Sequence, residues 1–182
     1  MAIQPDKDFM DSIINTWGGR KFNFLNPEPT DIFIEDIAHA LSLQCRFNGH
    51  CTDFYSVAEH SVEVMRVVES LGAENNIIMT ALLHDAAEAY IGDVVSPLKK
   101  VLKDYQEIER RVESTIAKRF SLVYPMPEVV GFADKNVLER EFRTLDPFSE
   151  NGASYKGLEP KDAEELFLKE YRRLSLGNVE GE

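Results

Sequence analysis

The sequence predicts an all-α fold, a single-domain helical bundle. Three observations carry the prediction. After residue 33, apolar side chains recur at intervals of three and four through successive segments. No alternating apolar–polar run of strand length stands outside the N-terminal segment. The 182 residues, 43% of them hydrophobic, suit one sizeable core, and no linker, repeat or low-complexity run divides them.

The elements follow in order. The opening segment, 1–33, reads as irregular. Within it, 16–24 offers a small hairpin around Gly18-Gly19, and Asn26-Pro27-Glu28-Pro29 must turn or extend. The helical core is 34–145. A short helix fits Ile34 to Leu43. A long one fits Phe54 to Leu71, closed by Gly72. The next fits Glu74 to Tyr90 and ends near Gly92. It is apolar nearly all round, which predicts a central position. Pro97 punctuates a loop or single turn between Gly92 and Lys103. The stripe Ile108, Val112, Ile116, Phe120 predicts a helix from Tyr105 to Phe120. Pro125 and Pro127 introduce another that runs to Leu145. A loop rich in Gly, Ser and Asn leads to a C-terminal helix, 160–174.

Charge and composition narrow the function. The chain carries 20 basic and 32 acidic side chains, a net charge of −12. That disfavours a duplex nucleic-acid binder, whose affinity rests on neutralising phosphates. It leaves room for a small anionic ligand, because a bound metal and a few local cations can invert the field inside a pocket. No apolar run approaches the ~18 residues of a membrane span, and the first residues show no signal-peptide pattern. A soluble, cytoplasmic protein without a membrane partner is expected. Cys45 and Cys51 read as two reduced thiols, and their spacing matches no zinc knuckle.

The informative residues are ionisable groups on apolar stripes. His60 has Val57 and Val64 at helical spacing, so it points into the core. His84 shares a stripe with Ile77 and Ala81, and Asp85 with Ile78 and Leu82. Asp134 lies among Val130, Val137 and Leu138. A charged carboxylate in such surroundings costs several kcal/mol unless it is paired or metal-bound. Two His and two Asp form the N/O donor set that Mn, Fe, Co, Zn or Mg accepts. The other reading is a buried His–Asp hydrogen-bond network without metal.

The longer strings resemble a known family. His60, His84-Asp85 and Asp134 resemble the H…HD…D signature of HD-domain phosphohydrolases. The flanking Tyr55-Ser56-Val57-Ala58-Glu59-His60-Ser61 and Ala81-Leu82-Leu83-His84-Asp85-Ala86-Ala87-Glu88-Ala89-Tyr90-Ile91-Gly92-Asp93 resemble its small all-helical branch of bacterial 5′-deoxynucleotidases and phage dATP triphosphohydrolases. The opening Gly19-Arg20-Lys21-Phe22 and 36–42 share that likeness, which covers roughly residues 16 to 145.

The resemblance implies roles. His60, His84, Asp85 and Asp134 would ligate a catalytic divalent metal (Co, Mn, Zn or Mg). Glu88 would hold or deprotonate the attacking water, and Asp93 would protonate the leaving oxygen. Arg46 would meet the phosphate and Phe47 the sugar or base. Pro97 would shape the base pocket and Lys99 would meet a phosphate tail. Where many relatives carry a lysine three residues before the last metal aspartate, this chain has Gly131. The expected activity is hydrolysis of a (deoxy)nucleotide 5′-phosphoester, with dATP giving nucleoside and triphosphate. Alternatives are a 5′-deoxynucleotidase acting on monophosphates and a non-catalytic nucleotide-binding module. The partner would be a small nucleotide, in a homo-oligomer.

Other polar residues have plainer readings. His39 reads as a core or supporting residue and His50 as a loop residue. Glu59 is either a solvated helix residue or a partner of a ligating histidine. Trp17 and Phe22 read as hairpin packing. Glu139-Arg140-Glu141 and Glu164-Glu165 read as solvated faces.

Overall fold

Asn15 and Lys21 close a short hairpin at the start of the computed structural model, which describes residues 12–145 and 155–177. Strands β1 (Ile13–Asn15) and β2 (Lys21–Asn23) pair antiparallel, with Ile14 opposite Phe22. Gly19 takes φ 73° in the turn between them, a conformation glycine adopts without cost. The hairpin expected around Gly18-Gly19 is therefore present, but its first strand lies before the expected 16–24.

Helices make up the rest. A 3₁₀ turn (Pro29–Asp31) leads into α1 (Ile34–Leu43). A second one, Arg46–Gly49, precedes α2 (Val57–Ser70). Helix α2 starts three residues later than expected because the chain before it is extended. Arg46 N–H donates to the Tyr55 carbonyl (2.9 Å) and Val57 N–H to that of Gln44 (3.1 Å). Ser56 then caps the helix, its hydroxyl accepting from Glu59 N–H at 3.1 Å. Gly72, at φ 74°, closes it as expected.

The next segment departs from the sequence reading. One helix was expected over Glu74 to Tyr90. The structure has α3 (Asn75–Leu82), a run of tight turns, and the single turn α4 (Glu88–Ile91). Helix α5 (Ser96–Lys99) is the one-turn element that Pro97 announces. Then come α6 (Lys103–Phe120), α7 (Glu128–Leu145) and α8 (Pro160–Gly177), each close to its expected bounds. The start of the 1–33 segment and most of the Gly/Ser/Asn-rich loop lie outside the described residues.

Helix α2 holds the central position expected of the Glu74–Tyr90 segment. It packs on α1, α3, α7 and α8. Its buried residues include Val57, Val62, Val64, Met65 and Val68, so only a narrow strip of it meets water. The buried apolar side chains form one cluster, from Phe22 of the hairpin to Phe167 and Leu174 of α8. No helix among the described residues is long and apolar enough to cross a membrane.

Candidate active site

The break after α3 builds the site. In a regular α-helix, neighbours such as His84 and Asp85 point about 100° apart. Here the chain tightens to three-residue hydrogen bonds: Ala86 N–H to Leu83 O (3.1 Å) and Glu88 N–H to Asp85 O (3.0 Å). The tightened backbone lets both side chains converge, and His84 Nε2 lies 3.1 Å from Asp85 Oδ2. Short non-α stretches inside helical segments often mark such sites.

Three elements meet there. His60 of α2 is fully buried. Its Nε2 lies 3.2 Å from Asp134 Oδ1 on α7 and 3.7 Å from Asp85 Oδ2. Ligand atoms of His60, His84 and Asp134 all fall within 4.8 Å of one another, and Asp85 borders the same two imidazoles. The other ring nitrogens are already engaged. His60 Nδ1 meets Glu141 Oε1 at 2.7 Å, and His84 Nδ1 meets the Ala81 carbonyl at 2.9 Å. An acceptor at each Nδ1 assigns the proton there, leaving each Nε2 lone pair facing the cluster. Both Nε2 atoms are buried without a hydrogen-bond partner. Two bare imidazole nitrogens beside carboxylates fit a divalent ion, and these residues can hold one. Burial alone would raise the carboxyls of Asp85 and Asp134. Positive charge on the imidazoles when they are protonated outweighs it in both, aided by Arg46 at Asp85, and holds both below their ordinary range; an ion on the Nε2 lone pairs would supply that charge instead.

Glu141 is one residue the sequence reading missed. Expected on a solvated face, it is 4% exposed. Besides His60 it accepts from Arg46, with Nε at 3.2 Å and a terminal nitrogen at 3.0 Å. It stands seven residues after Asp134, two turns along the same face of α7, and that spacing was a usable signal. Arg46 is itself buried and reaches 4.0 Å from Asp85. A chain of contacts thus runs from Arg46 through Glu141 to His60.

A cavity of about 330 Å³ opens beside the cluster, walled partly by His84, Asp85, Glu88, Lys99 and Asp134. Glu88 is 6% exposed, and its Oε2 has no hydrogen-bond partner. Burial, then Asp85 and Asp93, push its carboxyl well above the ordinary value, against Lys99 and Arg46. Lys99 Nζ sits 3.7 Å from Glu88 and 2.6 Å from Glu109. Burial also raises the Asp93 carboxyl, against the pull of Arg46. A Gln44 bridge ties these segments together: its amide donates to the Glu88 carbonyl (2.9 Å), and its oxygen accepts from Asp93 N–H (3.1 Å). Glu109 and Glu113 of α6 also line the cavity, and the sequence reading singled out neither.

The HD domain family matches residues 57–169, a span that holds all four expected ligands, Glu88 and Asp93. The chain belongs to the HD-domain family. That family is typically one of metal-dependent hydrolases. Among curated relatives, the uncharacterized protein YfdR of Escherichia coli is 37% identical over 156 residues, covering 86% of this chain and 84% of that protein. An uncharacterized protein of Rhodobacter capsulatus is 40% identical over 141 residues, 72% of each chain.

The remaining expected site residues of this HD domain fall elsewhere. Phe47 lies on Phe142 (5.2 Å between ring centres) and lines a separate small cavity with His50. Pro97 is exposed on α5 and does not line the main cavity. Glu59 takes neither expected role. Buried in α2, it accepts from Tyr155 Oη and from Leu158 N–H (2.9 Å), pinning the segment before α8. His39 stacks on Trp17 at 4.4 Å and meets Glu164 at 3.0 Å, so Glu164 is no simple solvated residue. The two cysteines are free thiols with sulfurs 3.7 Å apart.

Proposed function

We propose that this HD-domain protein is a divalent-metal-dependent phosphohydrolase that cleaves the 5′-phosphoester of deoxynucleotides. One observation carries the reading: two buried imidazole Nε2 atoms without hydrogen-bond partners face carboxylates beside a cavity lined by Glu88, whose Oε2 also has none. His60, His84, Asp85 and Asp134 would hold the ion, with Co, Mn, Zn or Mg all compatible. Such an ion offsets phosphate charge and lowers the pKa of water toward ~7. Glu88, its carboxyl raised, accepts the proton of the attacking water. Asp93, raised by burial, delivers one to the nucleoside 5′-oxygen as it leaves. Lys99 and Arg46 supply positive charge beside them.

The cavity's charge favours a monophosphate. Five carboxyls line it, those of Asp85, Glu88, Glu109, Glu113 and Asp134, against one lysine already paired with Glu109. Gly131 supplies no further cation, and about 330 Å³ is at the small end for a ligand site. The dATP triphosphohydrolase reading, the first expectation from the resemblance, becomes the second, supported by Lys99 in the cavity wall. Its adenine preference rested on Pro97, which stands outside that wall.

The test incubates the protein with each deoxynucleoside mono- and triphosphate and each of the four metals, then separates products by ion exchange. Nucleoside and inorganic phosphate from monophosphates are expected. Intact triphosphate from dATP establishes the second reading instead, and retained nucleotide without product marks a binding module. Glu88→Gln should keep metal and fold while losing about 10²- to 10⁴-fold in turnover.

A further inference from the structure

The cavity beside the metal ligands is not uniformly polar. Its apolar lining includes Ile116 and Ala117 of α6 and Leu122, Val123 and Pro125 in the segment that follows. An apolar wall of this kind suits the face of a flat aromatic ring. One carboxyl interrupts it. Glu113 stands three and four residues before Ile116 and Ala117, on the same face of α6, and lines the same cavity.

Glu113 is half-buried, and its carboxyl makes no hydrogen bond or ion pair among the described residues. Lys99, the cation of the cavity, is committed to Glu109 at 2.6 Å. A partly buried carboxyl without a partner costs stability, which is tolerable where a ligand completes it. The neighbouring Glu88 Oε2, buried and also without a hydrogen-bond partner, shows that this cavity presents open acceptors. Burial, then the charge of Glu109, push the Glu113 carboxyl up to about 7.

We infer that Glu113 is a specificity-determining residue whose carboxyl accepts N–H donors from the edge of the nucleobase. The inference rests on the nucleotide phosphohydrolase reading above. A carboxylate offers two adjacent acceptor oxygens. Guanine alone presents two adjacent donors, N1–H and the 2-amino group, and so fits best. Adenine and cytosine each offer one amino group. Thymine offers a single N–H flanked by two carbonyl oxygens that the carboxylate repels, and fits worst.

The experiment measures kcat/KM for dGMP, dAMP, dCMP, dTMP and the baseless 2-deoxyribose 5-phosphate, in wild type and Glu113→Gln. Wild type should favour dGMP over dTMP by about tenfold or more, the discrimination of a good two-point base contact. Glu113→Gln should collapse that ratio by about the same factor. Its loss on deoxyribose 5-phosphate should be far smaller than its loss on dGMP. Equal losses on all five substrates, an unchanged dGMP/dTMP ratio, or a wild type that favours dTMP would each overturn the assignment. Hydrolysis of none of the five by metal-loaded wild type would instead remove the monophosphate reading, and this inference with it.

Discussion

Replacing Glu141 by glutamine tests the support beneath the proposed metal ligands. The change keeps side-chain volume but removes a buried charge. In the native protein the carboxylate receives His60 Nδ1 at 2.7 Å and Arg46 at 3.0 and 3.2 Å. A glutamine has one acceptor oxygen for these donors and turns its own N–H groups toward one of them. Arg46, 8% exposed, would then have Asp85 at 4.0 Å as its nearest carboxylate. Breaking a buried charge pair from one side costs about 3–5 kcal/mol. Glutamine retains one contact, so about 3 kcal/mol is expected, or roughly 6–12 °C in Tm for a chain of this size. The imidazole of His60 also loses the group that orients it, which should weaken metal binding about 10- to 100-fold. Scanning calorimetry of the metal-free protein reads the first effect, and titration calorimetry with Mn²⁺ the second. A variant that melts within 2 °C of wild type and binds Mn²⁺ equally well would refute the argument (both thresholds follow from about 3 kcal/mol and tenfold).

Two further outcomes follow from single side chains. Glu113 has a folded pKa of about 7 against an ordinary 4.5, raised by burial, Glu109 and Asp85 against Lys99 and Arg110. The folded state therefore keeps a proton that the unfolded chain has lost, and stability falls as pH rises from about 4.5 to 7. Glu113→Gln should remove that penalty and be more stable than wild type at pH 8 by roughly 1–2 kcal/mol, after discounting for partial exposure, with the advantage shrinking at pH 5; equal melting differences at the two pH values would count against it. Gly157→Ala should cost about 2 kcal/mol or more, because its Cβ would sit 2.0 Å from the Phe54 carbonyl oxygen, a backbone atom that cannot swing aside; an unchanged urea midpoint would show that the segment held by Glu59 shifts freely.

Much of the fold was legible because it is local. The stripe Ile108, Val112, Ile116, Phe120 lies within α6, and Val112 and Ile116 are buried as its spacing requires. Gly72 closes α2, and Pro97 opens a single turn. The break after Leu82 was not legible from periodicity, because 77–90 is apolar enough to satisfy a continuous helix. The adjacency of His84 and Asp85 held the missing clue. Two neighbours cannot serve one point from a regular helix, so a site using both requires a departure from it.

The same reasoning separates the readable half of the site from the hidden half. His60, His84, Asp85 and Asp134 stood out because polar groups on apolar stripes are costly without a partner. Glu141, Glu109 and Glu113 did not, because each has a charged residue that faces water beside it or, for Glu113, two positions before it at Arg111. Arg140 is exposed beside Glu141, and Arg110 beside Glu109. What faces these carboxyls is remote in sequence: Arg46 and His60 for Glu141, Lys99 for Glu109, and for Glu113 a cavity it shares with the chain from Leu122 to Met126. A helical face reads as solvated until the element packed on it is known. The candidate ligands of a buried centre can therefore be read from one chain's patterning, whereas the carboxyls packed against them and along the cavity beside them emerge only from the fold.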